Sequence, residues 1–221
     1  MNIIEPSFDI LRPIDKEAGI KQLRFIELMA RISHRSEDKQ TEDSWKRFLQ
    51  AVVMQHGDWS VVEHETATVI FRVDRGVTHE LVRHRLFSFT QESTRFVNGR
   101  KSYPNGLEFL RPTNISEGQA EWHWHQACHQ SELEYLSLLD QGVRPQEARS
   151  VLPNSLAATI AVTGNLRNWR HLFIMRTTQE THPDFKKVMI PLLEEFKQRI
   201  PLLFDDIIAG QKQTESLSKP R

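Results

Sequence analysis

The hydrophobic pattern changes period part-way along the chain, and that change restricts the fold class more than any other feature. Between Thr41 and Gly57, the residues Trp45, Phe48, Leu49, Val52 and Val53 recur at helical spacing, as in an amphipathic helix with one buried face. Thr41 stands where an N-cap is expected, Glu42 and Asp43 fall in the first turn, and Gly57 occupies the position past the last turn. Soon afterwards the period becomes two, with Thr66, Thr68 and Ile70 alternating with Ala67, Val69 and Phe71. That β-branched alternation predicts a strand over 65–73. A chain carrying both periods, without an internal repeat of the pair, reads as α+β.

The rest of the chain extends this reading. Residues 2–11 predict an edge strand, because Pro6 has no N–H for a central ladder. A helix is predicted over 15–32, with Ile20, Leu23 and Ile26 on one side. Gly76 closes the 65–73 strand, and Thr78 caps a short helix running to 86. Segment 87–103 is polar-aromatic and reads as extended. A charged helix is predicted over 117–139, stopping at Gly142, and further helices over 154–176 and 183–207, the last interrupted by Pro191. No Pro/Gly/Ser-rich linker divides the 221 residues. The expectation is one domain over 1–210 with a central, mostly antiparallel sheet flanked by helices, followed by a flexible polar tail over 211–221.

Composition removes several classes of function. Lys+Arg and Asp+Glu are both 29, so the overall charge carries no basic excess for long nucleic acid. The single cysteine, Cys128, excludes intrachain disulfides and multi-cysteine metal sites. No run approaches the roughly 18 apolar residues of a membrane span, and the start, with Glu5 and Asp9, lacks the basic region of a signal peptide. A cytoplasmic protein without nucleic-acid or membrane partners is expected.

The balanced total hides a local imbalance. From Phe71 to Lys101 the positives are Arg72, Arg75, Arg83, Arg85, Arg95, Arg100 and Lys101, against Asp74, Glu80 and Glu92. Arginine's planar fork suits two-point contact with phosphate or carboxylate. On the predicted 78–86 helix, Glu80, Arg83 and His84 fall on one face. A solvated face with locally paired arginines is the ordinary explanation of such a cluster. Against it, His84 sits between two arginines, where a protonated imidazole is disfavoured. The cluster also runs into Ser88, Thr90, Gln91, Ser93 and Thr94, a row of neutral donors and acceptors. Together they point to a phosphorylated, heteroaromatic ligand.

The segment Arg83-His84-Arg85-Leu86-Phe87-Ser88-Phe89-Thr90-Gln91-Glu92-Ser93-Thr94-Arg95 resembles the signature of the flavin-dependent thymidylate synthases. Further blocks resemble that family in its order: Ala30-Arg31-Ile32-Ser33, the stretch His56 to His64, Glu147 to Pro153, and Asn165 to His171, closing with Arg176. The resemblance implies conversion of dUMP to dTMP with methylenetetrahydrofolate as one-carbon donor, FAD as mediator and hydride source, and NADPH as reductant. It implies a homotetramer whose active sites draw on more than one subunit. By motif position, Ser60, Arg83, His84, Arg85, Asn165, Leu166, Arg167 and His171 would contact FAD. Glu80, Leu81, Val82, Arg83, Glu92, Ser93, Thr94, Arg95, Arg149 and Arg176 would contact dUMP, with Gln91 between the two ligands. Arg176 would be the catalytic residue, its guanidinium stabilising the pyrimidine anion.

The chain departs from the family's usual residues at Asp58, Glu80, Thr90-Gln91 and His171 and in Thr181-His182-Pro183-Asp184. These bear on efficiency rather than on the reaction. His125 and His129 stand at i, i+4 beside His123, but a zinc site wants a third ligand on that face, so no metal is expected. Ser93 reads as a substrate donor rather than a nucleophile, since no histidine is placed by local sequence to act as its base. The rival reading is a non-catalytic nucleotide- or RNA-binding module built on the arginine-rich segment 72–101.

Overall fold

The chain orders its elements as β1 (Asn2–Ile4), β2 (Ser7–Arg12), α1 (Lys16–Ile32), α2 (Ser44–Leu49), β3 (Thr66–Asp74), α3 (Arg75–Leu81), β4 (Ser88–Gln91), α4 (Gly99–Ser102), β5 (Glu108–Leu110), α5 (Gln119–Asp140), α6 (Pro145–Ala148), β6 (Ala157–Asn165), α7 (Leu166–Arg176) and α8 (Pro183–Arg199). This is a computed structural model, and it describes residues 1–211. Of the tail predicted over 211–221, all but Gln211 lies outside the described residues. The fold is α+β.

Four strands form one sheet in the order β2-β3-β6-β4. The Oγ1 atoms of Thr68 and Thr163 lie 3.0 Å apart, and Arg72 donates to Thr159 Oγ1 at 2.7 Å. Numbers rise on β3 as they fall on β6, so this central pair is antiparallel. The expected strand over 2–11 is two strands, broken at Pro6. β2 takes the sheet edge, while β1 pairs in parallel with β5, Ile3 standing opposite Phe109.

Several expected boundaries move. The helix predicted over 154–176 begins only at Leu166, because Ala157–Asn165 is strand β6 with an alternating burial pattern. Thr159, Ile160, Val162 and Thr163 are β-branched, and their period of two outweighs the helical propensity of the alanines. The helix expected from Thr41 starts at Ser44, with Asp43 in the N-cap position, and continues through a π-helical turn, Gln50–Gln55, to Gly57 at φ +83°. The helix expected over 78–86 is α3, which starts at Arg75 and ends at Leu81. Its cap is Asp74, which accepts from Val77 N–H at 2.8 Å, while Thr78 is buried inside the helix and donates to Arg75 O. Segment 87–103, expected to be extended, holds β4 and the one-turn α4. The last helix stops at Arg199 rather than 207, with Pro191 inside it.

Two compact units interleave along the chain. Unit 1 comprises Met1–Phe8, Ile70–Arg85 and Phe89–Ala161, and unit 2 comprises Asp9–Val69, Leu86–Ser88 and the residues from Val162 on. In unit 1, Phe109, Cys128, Tyr135, Ala148 and Leu156 form a buried cluster against one face of α5. In unit 2, the rings of Trp169, Phe173, Phe196 and Phe204 pack at centroid distances of 5.0 to 5.9 Å, joining α7 and α8 through aromatic edges and faces. Also in unit 2, the buried Arg31 guanidinium donates twice to Glu27 Oε1, at 2.7 and 2.9 Å, and lies over the Phe48 ring. The Ala30-Arg31-Ile32-Ser33 block is therefore structural, since removing one member of such a pair costs about 3–5 kcal/mol.

Candidate active site

Unit 1 carries most of the arginine-rich segment. Because α3 ends at Leu81, Arg83 and His84 lie in the turn beyond it rather than on one helix face with Glu80. Arg83 N–H donates to Glu80 O at 3.3 Å and His84 N–H to Leu81 O at 3.0 Å, tightening that turn. Leu81 is fully buried, whereas Val82, Arg83 and Arg85 are exposed. Glu80 and His84 are half-buried.

The chain then runs through β4 into a second turn. Gln91 Nε2 donates to Thr78 Oγ1 at 3.1 Å, which fixes the end of β4 against α3. Glu92 N–H donates to Thr159 O at 2.8 Å, and Phe96 and Val97 N–H donate to Ser93 O. Ser93 Oγ accepts from Arg95 N–H at 3.3 Å. Thr94 Oγ1 accepts from Arg149 Nη1 at 3.0 Å, and Arg149 Nε donates to Gln146 O. The Ser93–Arg95 turn and Arg149, far apart in sequence, thus meet.

Arg75 completes this corner. Its Nη1 is buried and has no hydrogen-bond partner among the described residues. Burial, and then the neighbouring positive charge of Arg149, hold its pKa below the ordinary arginine value. The attraction of Glu92 does not outweigh burial and that repulsion, so the corner keeps a cation with an open donor. A pocket of about 400 Å³, counted to its open mouth, is lined by Arg75 and Thr94 together with Arg72, Glu92, Tyr103 and Glu108. The arrangement suits an anion held by bidentate guanidinium contacts.

Unit 2 carries the other blocks. Ser60 is exposed in the 3₁₀ turn Trp59–His64, next to Trp59, whose ring lies 4.4 Å from the Arg170 guanidinium. Asn165 caps α7, its Oδ1 accepting from Asn168 N–H at 2.8 Å. Leu166 is fully buried and donates its N–H to Glu65 O. Arg167 and His171 are exposed on α7, and Arg167 Nη1 is held by Glu63 at 2.6 Å. Arg176 ends the helix, half-buried, with its guanidinium 5.4 Å from the Phe185 ring centre. The peptide that follows Arg85 is also tied here: Asn168 Nδ2 donates to Leu86 O at 3.2 Å, and Phe87 meets Trp169 edge-on.

The family model described as thymidylate synthase complementing protein matches residues 20–202. A protein of Corynebacterium aurimucosum called flavin-dependent thymidylate synthase is 33% identical over 187 residues, covering 76% of this chain and 73% of its own. The chain belongs to the flavin-dependent thymidylate synthase family. A second family member, from Corynebacterium diphtheriae, is 35% identical over 167 residues; the match covers 70% of this chain and 66% of that relative. The chain thus spans slightly under two thirds of that relative's length. The solved structure of PolB from Streptomyces cacaoi, described as a UMP/dUMP methylase, superposes with a TM-score of 0.75 at 22% identity, over 92% of this chain and 95% of that one. That likeness establishes a shared fold.

Residues that the family's motif blocks leave out include Arg75, Arg72 and Tyr103. Arg75 and Arg72 were visible only as charges in a basic segment, and nothing local separates the paired arginine from the unpaired one. The long helix with the histidine cluster offers no comparable site. The His125 and His129 rings stack 6.4 Å apart, and the described residues contain no group of three or more His, Cys, Asp or Glu arranged for a metal. Cys128 is buried, and burial pushes its thiol up to about 11. Among the described residues, no helix is long and apolar enough to cross a membrane.

Proposed function

We propose that the chain is a flavin-dependent thymidylate synthase. It converts dUMP to dTMP with methylenetetrahydrofolate as one-carbon donor, FAD as mediator and hydride source, and NADPH as reductant, in a homotetramer whose active sites are shared between subunits. The half-buried corner of Arg75, Arg149 and Thr94 carries this reading. It presents an open cationic donor on Arg75 beside the family's signature turn, where a nucleotide phosphate needs one. The name of the Corynebacterium relatives supports the flavin, and PolB, described as bound with 5-Br dUMP, supports a pyrimidine nucleotide.

Arg75, Arg95 and Arg149 hold the phosphate, with backbone N–H groups of Ser93 and Thr94 as neutral donors. Gln91, anchored on Thr78, stands at the nucleoside end. Arg176 directs its guanidinium at the N3/O4 edge of the uracil, stabilising the ring anion and raising electron density at C5. Carbon is added at C5, the C5 proton leaves, and the folate departs as tetrahydrofolate. No thiol takes part, because a buried thiol with its pKa near 11 stays protonated at neutral pH.

By motif position Ser60, Arg167 and His171 in one unit and Arg83 and Arg85 in the other would hold FAD, and each is an exposed hydroxyl, guanidinium or imidazole donor of a kind that fits a dinucleotide's diphosphate. His84 and the peptide around Asn165 and Leu166 complete that set. When bound and reduced, FAD supplies the hydride and mediates the one-carbon transfer. The protein's part is to orient the ligands and exclude water.

The purified protein is expected to be yellow, to release flavin on denaturation, and to release tritium from C5-labelled dUMP when given NADPH and methylenetetrahydrofolate. A colourless protein that cannot be reconstituted with FAD overturns the reading in favour of a non-catalytic nucleotide-binding module. Arg176→Ala is expected to lower tritium release by about 10²–10³-fold, the usual loss on removing a transition-state charge donor, while FAD binding is retained. Turnover at the wild-type rate would show that another group activates the uracil.

A further inference from the structure

Glu92 lies inside the signature turn, yet its carboxylate is fully engaged by the protein. Tyr103 Oη donates to its Oε1, and Arg72 Nη1 donates to its Oε2 at 3.0 Å. Thr159 N–H adds a longer contact to Oε2 at 3.4 Å. Arg72 is the hub of this cluster. Its Nη1 also donates to Thr159 Oγ1 at 2.7 Å, while its Nη2 reaches Glu108 Oε2 and, at 3.3 Å, Tyr103 Oη. One guanidinium therefore serves two carboxylates, a threonine hydroxyl and a phenol, all partly buried.

Arg72 and Tyr103 are held in their donor forms by their surroundings. Burial works against the Arg72 charge, but the bonds to Glu108 and Tyr103 outweigh it and hold the pKa above arginine's ordinary value. Burial and the bond to Glu92 raise the Tyr103 phenol, so it remains a donor. The cluster ties three strands to the turn: Arg72 sits on β3, Thr159 on β6, Glu108 on β5, and Glu92 opens the turn that carries Ser93, Thr94 and Arg95.

From this geometry we infer that Arg72, acting through Glu92 and Tyr103, is the positioning residue that sets the Ser93–Arg95 turn for the substrate phosphate, and that the Glu92 side chain does not itself contact the nucleotide. The inference rests on the dUMP reading above. Two half-buried carboxylates, Glu92 and Glu108, are both ion-paired to Arg72, and the Arg75 charge acts on Glu92 without an ion pair. Removing Arg72 takes the ion pair from both carboxylates where they face the same pocket, and the turn must shift to hydrate them. The pocket then loses the alignment of Thr94 and the turn's N–H groups with Arg149, and small misplacements of binding groups are costly. None of the cluster's residues is assigned to the uracil edge, so the loss falls on binding rather than on chemistry.

The test uses the flavin-loaded full chain and the variants Arg72→Met, Arg72→Met/Glu92→Gln and Tyr103→Phe, with dUMP as titrant in calorimetry and as substrate in the tritium assay. For Arg72→Met the expected result is a 10- to 100-fold rise in both Kd and KM for dUMP, with kcat within threefold of wild type and bound FAD per chain unchanged. Adding Glu92→Gln removes one orphan charge and is expected to recover part of the affinity, which a turn contacting dUMP through the Glu92 carboxylate would not do. Tyr103→Phe deletes one hydroxyl without touching the ion pairs, keeps the inference testable if Arg72→Met does not fold, and is expected to raise KM three- to tenfold. Wild-type dUMP affinity in both Arg72→Met and Tyr103→Phe would overturn the inference, as would a fall in kcat and FAD content with KM unchanged. Failure of the wild-type chain to bind dUMP would instead overturn the underlying reading.

Discussion

Arg75→Met removes a charge that the fold holds at a cost, so its effects on stability and on binding are expected to have opposite signs. Arg75 is partly buried, its Nη1 has no acceptor among the described residues, and burial together with Arg149 depresses its pKa. Replacing the guanidinium with a thioether of similar reach relieves the desolvation and the like-charge repulsion while filling the same space. The melting temperature is therefore expected to equal or exceed that of wild type. Binding moves the other way. A charge-assisted hydrogen bond to an ionised group is worth about 1.5–3 kcal/mol, and at about 1.4 kcal/mol per decade that is a loss of roughly 10- to 150-fold in dUMP affinity. Calorimetric titration with dUMP, and separately with inorganic phosphate, measures the loss, and thermal unfolding of the ligand-free protein measures stability. Arg75→Lys should recover only part of the affinity, since an ammonium supplies charge without the planar fork. A fall of several degrees in melting temperature with dUMP affinity within twofold of wild type would refute the reasoning, because Arg75 would then be a structural cation.

Gly164→Ala places a Cβ about 2.4 Å from Phe87 Cδ1 and 2.5 Å from Cε1, and Phe87 is itself packed edge-on against the buried Trp169. Overpacking of this kind costs about 1–3 kcal/mol, or a fall of roughly 2–12 °C in melting temperature, and Gly164→Ala/Phe87→Leu should restore part of it; an unchanged melting temperature in the single variant would count against the packing described. The Cys128 thiol has a folded pKa of about 11 against an ordinary 9.0, so the folded state binds its proton more tightly than the unfolded state does. Its contribution, up to about 3 kcal/mol, is complete below pH 9 and is lost as pH rises towards 11. Cys128→Ser should flatten that loss in chemical denaturation series while leaving turnover intact, and an abolished turnover would mean that the thiol is a reactant.

The period change between the helix ending at Gly57 and the strand over Thr66–Asp74 was legible because hydrophobic periodicity is local and both faces repeat within a few residues. The 154–176 segment was not legible in the same way. Its alanines and its final helix α7 obscured a strand, β6, whose identity depends on partners such as Thr68 far back in the chain. The capping of α3 failed for a smaller reason: Asp74 and Thr78 are both chemically able to cap, and the end of β3 decides which of them has the extended backbone that a cap requires.

Sequence by itself determined that this is an α+β chain, that its cations concentrate over 71–101, and that its motif blocks are those of one family. These are properties of residue identity and short spacing. The tertiary structure alone decided what each arginine in that segment does. Arg72 and Arg75 lie three positions apart with the same side chain. Glu92 and Glu108 reach Arg72, and neither bonds Arg75, whose charged neighbours include Arg149. A guanidinium bonded to acids becomes a strut, and one left unbonded beside another cation becomes an anion site, even with Glu92 nearby. Which of the two it is depends on where residues tens of positions away come to rest, and no local pattern encodes that.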